Sequence, residues 1–119
     1  MNNGYLKFKI MKKEEILIWA EAKGLLKAEY SPKQFMKLSE EVGELANAIL
    51  NNNKEEVIDA IGDIVVVLTI LSDQLGLDID ECTESAYNVI KNRTGKMVNG
   101  TFIKDCIKKV SEETIKIIN

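Results

Sequence analysis

Histidine is absent from the 119 residues, cysteine occurs twice and proline once. Without imidazole, Ser-His-Asp and Cys-His catalysis, a histidine general base and any zinc site with histidine ligands are excluded. Cys82 and Cys106 are too few for a structural zinc site and read as reduced bystander thiols of a cytosolic chain. Long apolar runs are missing as well. The longest, 64–71, is far too short to span a bilayer and contains Thr69. The opening MNNGYLKFKI lacks the apolar stretch of a secretory signal. A soluble, cytoplasmic protein with no membrane partner is the expectation.

What is present is ordinary for a globular protein: 45% hydrophobic and 29% charged residues, a net charge of −3, and length enough for one domain over 1–119. The charge is unevenly placed. Residues 1–37 carry eight lysines against four acids, 38–90 one lysine against twelve acids, and 91–119 seven basic residues against three acids. An acidic middle between basic ends does not make the continuous basic face of a nucleic-acid binder. It suits a chain that gathers metal cations centrally and meets an anion with its later part.

The apolar spacing is helical nearly throughout. In MKKEEILIWAEAKGLL, Ile16, Trp19, Ala20 and Lys23 recur at i, i+3, i+4 and i+7, and Trp19 is expected to anchor the core. SPKQ is a helix start, with Ser31 as N-cap, Pro32 in the first turn and Gln34 closing a capping box. The second helix runs from there to about Leu50, with Phe35, Leu38, Val42, Leu45 and Ile49 in one stripe. NNN at 51–53 is a turn. A third helix starts near Lys54, continues to about Leu75 and is terminated by Gly76. The fourth, capped by Asp78 or Asp80, ends near Asn92 or Arg93. RTGKMVNGTF, with its Asn-Gly pair, is a loop or a short hairpin, and the tail beyond is a candidate last helix. The expected fold is an all-α four-helix bundle with a C-terminal extension.

The chemistry points to the acids of the two middle helices. Glu41 and Glu44, three residues apart, project along one flank of the second helix's stripe and can converge on one cation, while Glu40 points further out. On the third helix Val57, Ile58, Ile61, Ile64, Val65 and Leu68 make the main apolar face, with Glu56, Asp59 and Asp63 opposite. That opposite side continues as Val66, Val67 and Ile70, so the second half is apolar all round, a pattern of burial on both faces. Asp59 and Asp63 then lie at the edge of a buried region, where an unpaired carboxylate is costly and a divalent cation would neutralise it. Gly43 and Gly62 precede Glu44 and Asp63. An interior helical glycine costs about 1 kcal/mol relative to alanine. A close approach of the two helices is expected to compensate, gathering Glu41, Glu44, Asp59 and Asp63. Oxygen-only ligands select hard cations, Mg²⁺ or Mn²⁺. Such an ion holds phosphates and acidifies a bound water, for which a carboxylate is the available base.

At these residues the sequence resembles the MazG-like family of all-α nucleoside triphosphate pyrophosphohydrolases, marked by E-E-x-x-E on one helix and E-x-x-D on the next. Glu40-Glu41-Val42-Gly43-Glu44 completes the first element. DAIGDIVVVLTILSDQLGLD resembles the second, with Asp63 as the motif aspartate and Asp59 matching its first acid. Ala60 departs from the pattern, standing where the family places a metal-binding glutamate. Asp59 is the substitute, since i and i+4 share a helix face. Glu56-Val57-Ile58-Asp59 also fits E-x-x-D but lies one turn too early, so Glu56 reads as a surface acid. YNVIKNRTGK resembles the family's later Asn and Lys/Arg motif, which helps bind the nucleotide and implicates Asn88, Lys91, Arg93 and Lys96.

The resemblance covers about residues 31–105, in the manner of short phage-type members. It implies hydrolysis of a (d)NTP to the monophosphate and pyrophosphate with Mg²⁺. Glu41, Glu44 and Asp63 would be catalytic, and the same three with Asp59 would hold the metal. It also implies a homo-oligomer, dimer or tetramer, which fits a third helix too apolar for a lone bundle. The alternatives are a nucleotide-binding or assembly module weakened at Ala60, and a purely structural helical oligomer.

Overall fold

The computed structural model describes residues 12–105. They form four helices, α1 (Lys13–Ala22), α2 (Ser31–Leu50), α3 (Lys54–Gln74) and α4 (Ile79–Ile90), with a short 3-10 helix at Ala28–Tyr30. Two strands follow, β1 (Gly95–Val98) and β2 (Thr101–Lys104). The fold is mostly helical, of the all-α bundle type. Backbone packing divides it into two compact units, with the break between Glu84 and Ser85. The expected last helix and Cys106 lie outside the described residues, apart from Thr101–Lys104, which is strand. Among the described residues no single helix is long and apolar enough to cross a membrane.

Three helices stop by the same device. Gly24, Asn52 and Gly76 take φ values of 75°, 53° and 74°. The N–H of each following residue reaches back five positions, Leu25 to Ala20, Asn53 to Ala48 and Leu77 to Ser72. Glycine and asparagine tolerate this left-handed turn, and the bonds satisfy carbonyls that the helix end would orphan. At the starts, the Asn53 side chain accepts the Glu56 N–H at 3.2 Å, and that of Asp78 accepts the Asp80 N–H at 2.9 Å. Asp78 is therefore the cap of α4. Asp78 and Asp80 also hold Lys13 Nζ, at 3.2 and 2.7 Å, which ties the start of α1 to the start of α4. The pair raises the Lys13 pKa, chiefly through the hydrogen bond to Asp80.

The start of α2 differs from expectation. Pro32 is in the first turn, but Tyr30 occupies the cap position and no side chain caps the helix, so the Ser31–Gln34 box does not form. The preceding 3-10 turn already delivers helical backbone, and the Ser31 N–H is satisfied by the Ala28 carbonyl. An extended N-cap is not needed where one helical segment runs into another.

Helices α2 and α3 run antiparallel through the turn at 51–53 and make the largest helix contact of the fold, with α1 against α3. The buried apolar residues are small or branched: Ala20, Ala48, Ala60, Val67 and Ile70. Small side chains at 48 and 60 let the two axes approach, and the inward faces follow from that. On α2 the inward residues are Leu38, Glu41, Leu45 and Ala48, while Phe35, Val42 and Ile49 are exposed. On α3 they are Ala60, Val67, Ile70 and Gln74, while Ile58 and Ile61 are exposed. Both stripes are thus rotated from the expected ones. The α3 side that carries the acids is the side that packs, and part of the expected main face looks outward. Trp19 also departs from expectation: it is 52% exposed, and α1 buries Ala20 instead.

The second unit contains the hairpin. Asn99 and Gly100, with φ of 49° and 80°, make the two-residue turn that the Asn-Gly pair suggested. Thr94 Oγ1 donates to Asp105 Oδ2 at 2.8 Å and closes its base. Gly95 is required there for space. A Cβ would lie 2.7 Å from Phe102 Cζ and collide with the Ile103 carbonyl oxygen. Gly95→Ala is therefore expected to unpair β1 from β2, which amide hydrogen exchange of Lys96–Val98 would report. Protection equal to wild type would contradict it.

Candidate metal centre

Glu41 lies in the middle of the α2–α3 contact and is 3% exposed. The rotation of α2 that turns Leu38, Leu45 and Ala48 inward carries Glu41 with them, so it is not on a flank as expected. Its Oε1 takes an ion pair from Lys37 Nζ at 3.0 Å. Its Oε2 is buried and has no hydrogen-bond partner. A buried carboxylate oxygen left so is costly unless something else meets it.

What surrounds it is more negative charge. Glu44, one turn along α2, and Asp63, from α3, each bring a carboxylate oxygen to within 4.8 Å of Glu41's and of each other. Beside this group opens a cleft of about 430 Å³ lined by Glu44, Asn47, Glu56, Asp59, Ala60 and Asp63. The unpartnered Glu41 oxygen, the spacing of the three carboxylates and the all-oxygen donor set fit a hard divalent cation such as Mg²⁺.

The electrostatics follow from the crowding. The Lys37 ammonium is the main cause holding the Glu41 carboxyl below the usual glutamate range, against the effect of burial. Glu44 is pushed up, first by its hydrogen bond with Glu41 and then by Glu41's charge. The crowding favours the charge on Glu41 and disfavours it on Glu44. Glu44 therefore contributes stability that is present at low pH and lost as pH rises through its raised value. Glu41 contributes stability present above the ordinary glutamate value and lost as pH falls through its lowered one. A cation needs both carboxylates bare. Affinity for Mn²⁺ should accordingly weaken on acidification at a higher pH than an unperturbed glutamate would set. Calorimetric titration between pH 4 and 8 checks this, and a midpoint at or below the ordinary glutamate value would contradict it.

Of the residues expected at the site, Glu41, Glu44 and Asp63 come together. Asp59 lines the cleft but lies outside the three-acid group, so the structure does not bring it in as a fourth ligand. Glu56, read as a surface acid, lines the same cleft. Ala60 is buried in its wall. Asn88 on α4, Lys91 and Arg93 after it, and Lys96 on β1 are all exposed residues of the second unit. The glycine argument fails: a Cβ on Gly43 or Gly62 would meet open space, so neither permits the approach of α2 to α3. The alanines at 48 and 60 do that work. Two residues were missed. Lys37 stands four before Glu41 and Asn47 three after Glu44, spacings that put each beside a candidate ligand on one helix.

Comparison with known proteins is consistent with this geometry. The family model described as phosphoribosyl-ATP pyrophosphohydrolase matches residues 11–88. A stretch of 60 residues, half of this chain, is 42% identical to an uncharacterized 18.2 kDa protein from the rep-hol intergenic region of Haemophilus phage HP1. That stretch covers 37% of the phage protein's length. No solved structure matches the chain.

Proposed function

Since the chain belongs to the phosphoribosyl-ATP pyrophosphohydrolase family, within the MazG-like all-α superfamily, we propose that it is a Mg²⁺-dependent nucleoside triphosphate pyrophosphohydrolase. The reaction would be (d)NTP and water to (d)NMP and pyrophosphate. The observation that carries this reading is the buried, half-unpartnered Glu41 meeting Glu44 and Asp63 beside an open cleft.

Glu41, Glu44 and Asp63 would hold the ion, with Mn²⁺ as a substitute. When bound, it neutralises phosphate charge and activates water. The chain's own contribution is to fix the three carboxylates from two packed helices, so that little reorganisation is needed. With no histidine available, a carboxylate would serve as base, and Asp59 and Glu56, which line the cleft outside the three-acid group, are the candidates. Asn88, Lys91, Arg93 and Lys96 are proposed as nucleotide contacts on the resemblance alone. Pyrophosphate release from a panel of (d)NTPs and phosphoribosyl-ATP, with and without Mg²⁺, tests the reading. Ligand-induced thermal stabilisation without turnover would favour the nucleotide-binding module instead. No response at all would favour the structural oligomer.

A homo-oligomer, dimer or tetramer, belongs to the same proposal. Phe35, Val42 and Ile49 recur every seven residues along α2, and Ile58 and Ile61 lie on α3, all more than half exposed. By the ~100° rotation per residue of two antiparallel helices, these five share the side of the α2–α3 pair away from the acids. Exposed apolar residues on one side of a helix pair are what a second copy of the chain would cover. Ile61→Glu should lower the mass measured by light scattering at unchanged helicity. The same mass for variant and wild type would remove this part of the proposal.

A further inference from the structure

Lys37 has two neighbours of different meaning. Its Nζ sits 3.0 Å from the buried Glu41, yet the side chain is 53% exposed. It stands seven residues before Glu44, about 20° of rotation away, so both lie on the acid-bearing flank of α2. An exposed pair at i, i+4 contributes little. This pair differs because one partner is buried, and losing the ammonium would leave that charge uncompensated. Among the described residues, the carboxylates of Glu41, Glu44 and Asp63 stand against the Lys37 ammonium, with Glu40 adding to the negative charge around it. A divalent ion that met Glu41 at its free Oε2 would compete with the Lys37 ammonium on Oε1 for the same carboxylate charge.

We propose that the Lys37 ammonium is a placeholder on Glu41, displaced when the divalent ion binds and then free to bind the phosphates of the incoming triphosphate. The inference rests on the proposed activity and assigns the residue that meets the substrate's charge within the first unit. Lysine suits both duties. Its flexible stem lets a point charge move between two anions, where a planar guanidinium would stay bidentate on the carboxylate. No bond is made or broken; one cation replaces another on Glu41.

The test uses the full chain with Lys37→Gln and Lys37→Arg. Titrated with Mn²⁺ alone, Lys37→Gln should bind about fivefold tighter than wild type, because the competing cation is gone. Its KM for a nucleoside triphosphate should rise about tenfold at nearly unchanged kcat, because a charge-assisted phosphate contact is lost. Lys37→Arg should restore the KM only in part. A lysine that merely supports the fold would instead weaken both Mn²⁺ binding and turnover in Lys37→Gln, overturning the proposal. Equal Mn²⁺ affinity, or an unchanged KM, would overturn it too. Should Lys37→Gln fail to fold, the wild-type lysine ¹⁵Nζ resonance carries the same test. It moves on adding Mg²⁺ if the ammonium leaves Glu41, and stays if the proposal is wrong. Wild type that binds no divalent ion sinks the proposed function itself. Wild type that binds, with no tightening in Lys37→Gln, sinks only the role of Lys37.

Discussion

Asp63→Asn is expected to lower metal-dependent pyrophosphate release at least about a thousandfold while leaving the melting temperature unchanged or raised. Asparagine keeps the shape and the α3 helix but removes one charge from a group of three carboxylates whose oxygens lie within 4.8 Å of one another. Relief of like-charge repulsion favours the metal-free fold. Loss of a ligand removes the electrostatic stabilisation on which phosphate chemistry depends. Glu44→Gln should behave the same way, since Glu44 is exposed and its pKa is raised by Glu41. Steady-state pyrophosphate assays and thermal melts on the same samples decide the matter. A large fall in melting temperature for both variants would show the acids to be structural and end the proposal.

Glu41→Met is the second case, and its two effects point in opposite directions. Turnover and Mn²⁺ binding should disappear with the central ligand. The metal-free chain should melt at or above the wild-type temperature, because an apolar side chain of similar volume removes the unpartnered buried oxygen, a gain that outweighs the lost pairing with Lys37. The Lys37 ammonium left behind is half exposed and can return to water at little cost. Differential scanning calorimetry without metal reads the gain. A variant less stable than wild type would mean that the Lys37–Glu41 pair contributes more than burial of the charge costs. A gain in stability on removing a site residue is expected where a fold keeps an unfavourable charge group for function.

Both predictions depend on where Glu41 points, and this was not legible in the sequence. The Glu40-Glu41-Val42-Gly43-Glu44 string identified the acids, and helical spacing put Glu41 and Glu44 within reach of each other. The inference drawn from Gly43 and Gly62 reached the right gathering of Glu41, Glu44 and Asp63 by a wrong route, since the space beside both glycines is open. Ala48 and Ala60, which carry no chemistry, set the helix approach instead. Asp59 was legible as a cleft acid but not as one lying outside the three-acid group.

By itself the sequence determined what depends on neighbours along the chain. Glycine and asparagine tolerate left-handed stops, which end α1, α2 and α3; asparagine and aspartate side chains cap α3 and α4; Asn99-Gly100 turns the hairpin; and the carboxylates recur at helical spacing. The tertiary structure decided which side of each helix faces inward. Periodicity gives the angle between residues on one helix, but the zero of that angle is set by the surface of another helix. Small alanines let α2 and α3 meet with Glu41 between them, which turned Ile58 and Ile61 outward and set Lys37 on a buried charge, while the packing of α1 on α3 buried Ala20 in place of Trp19.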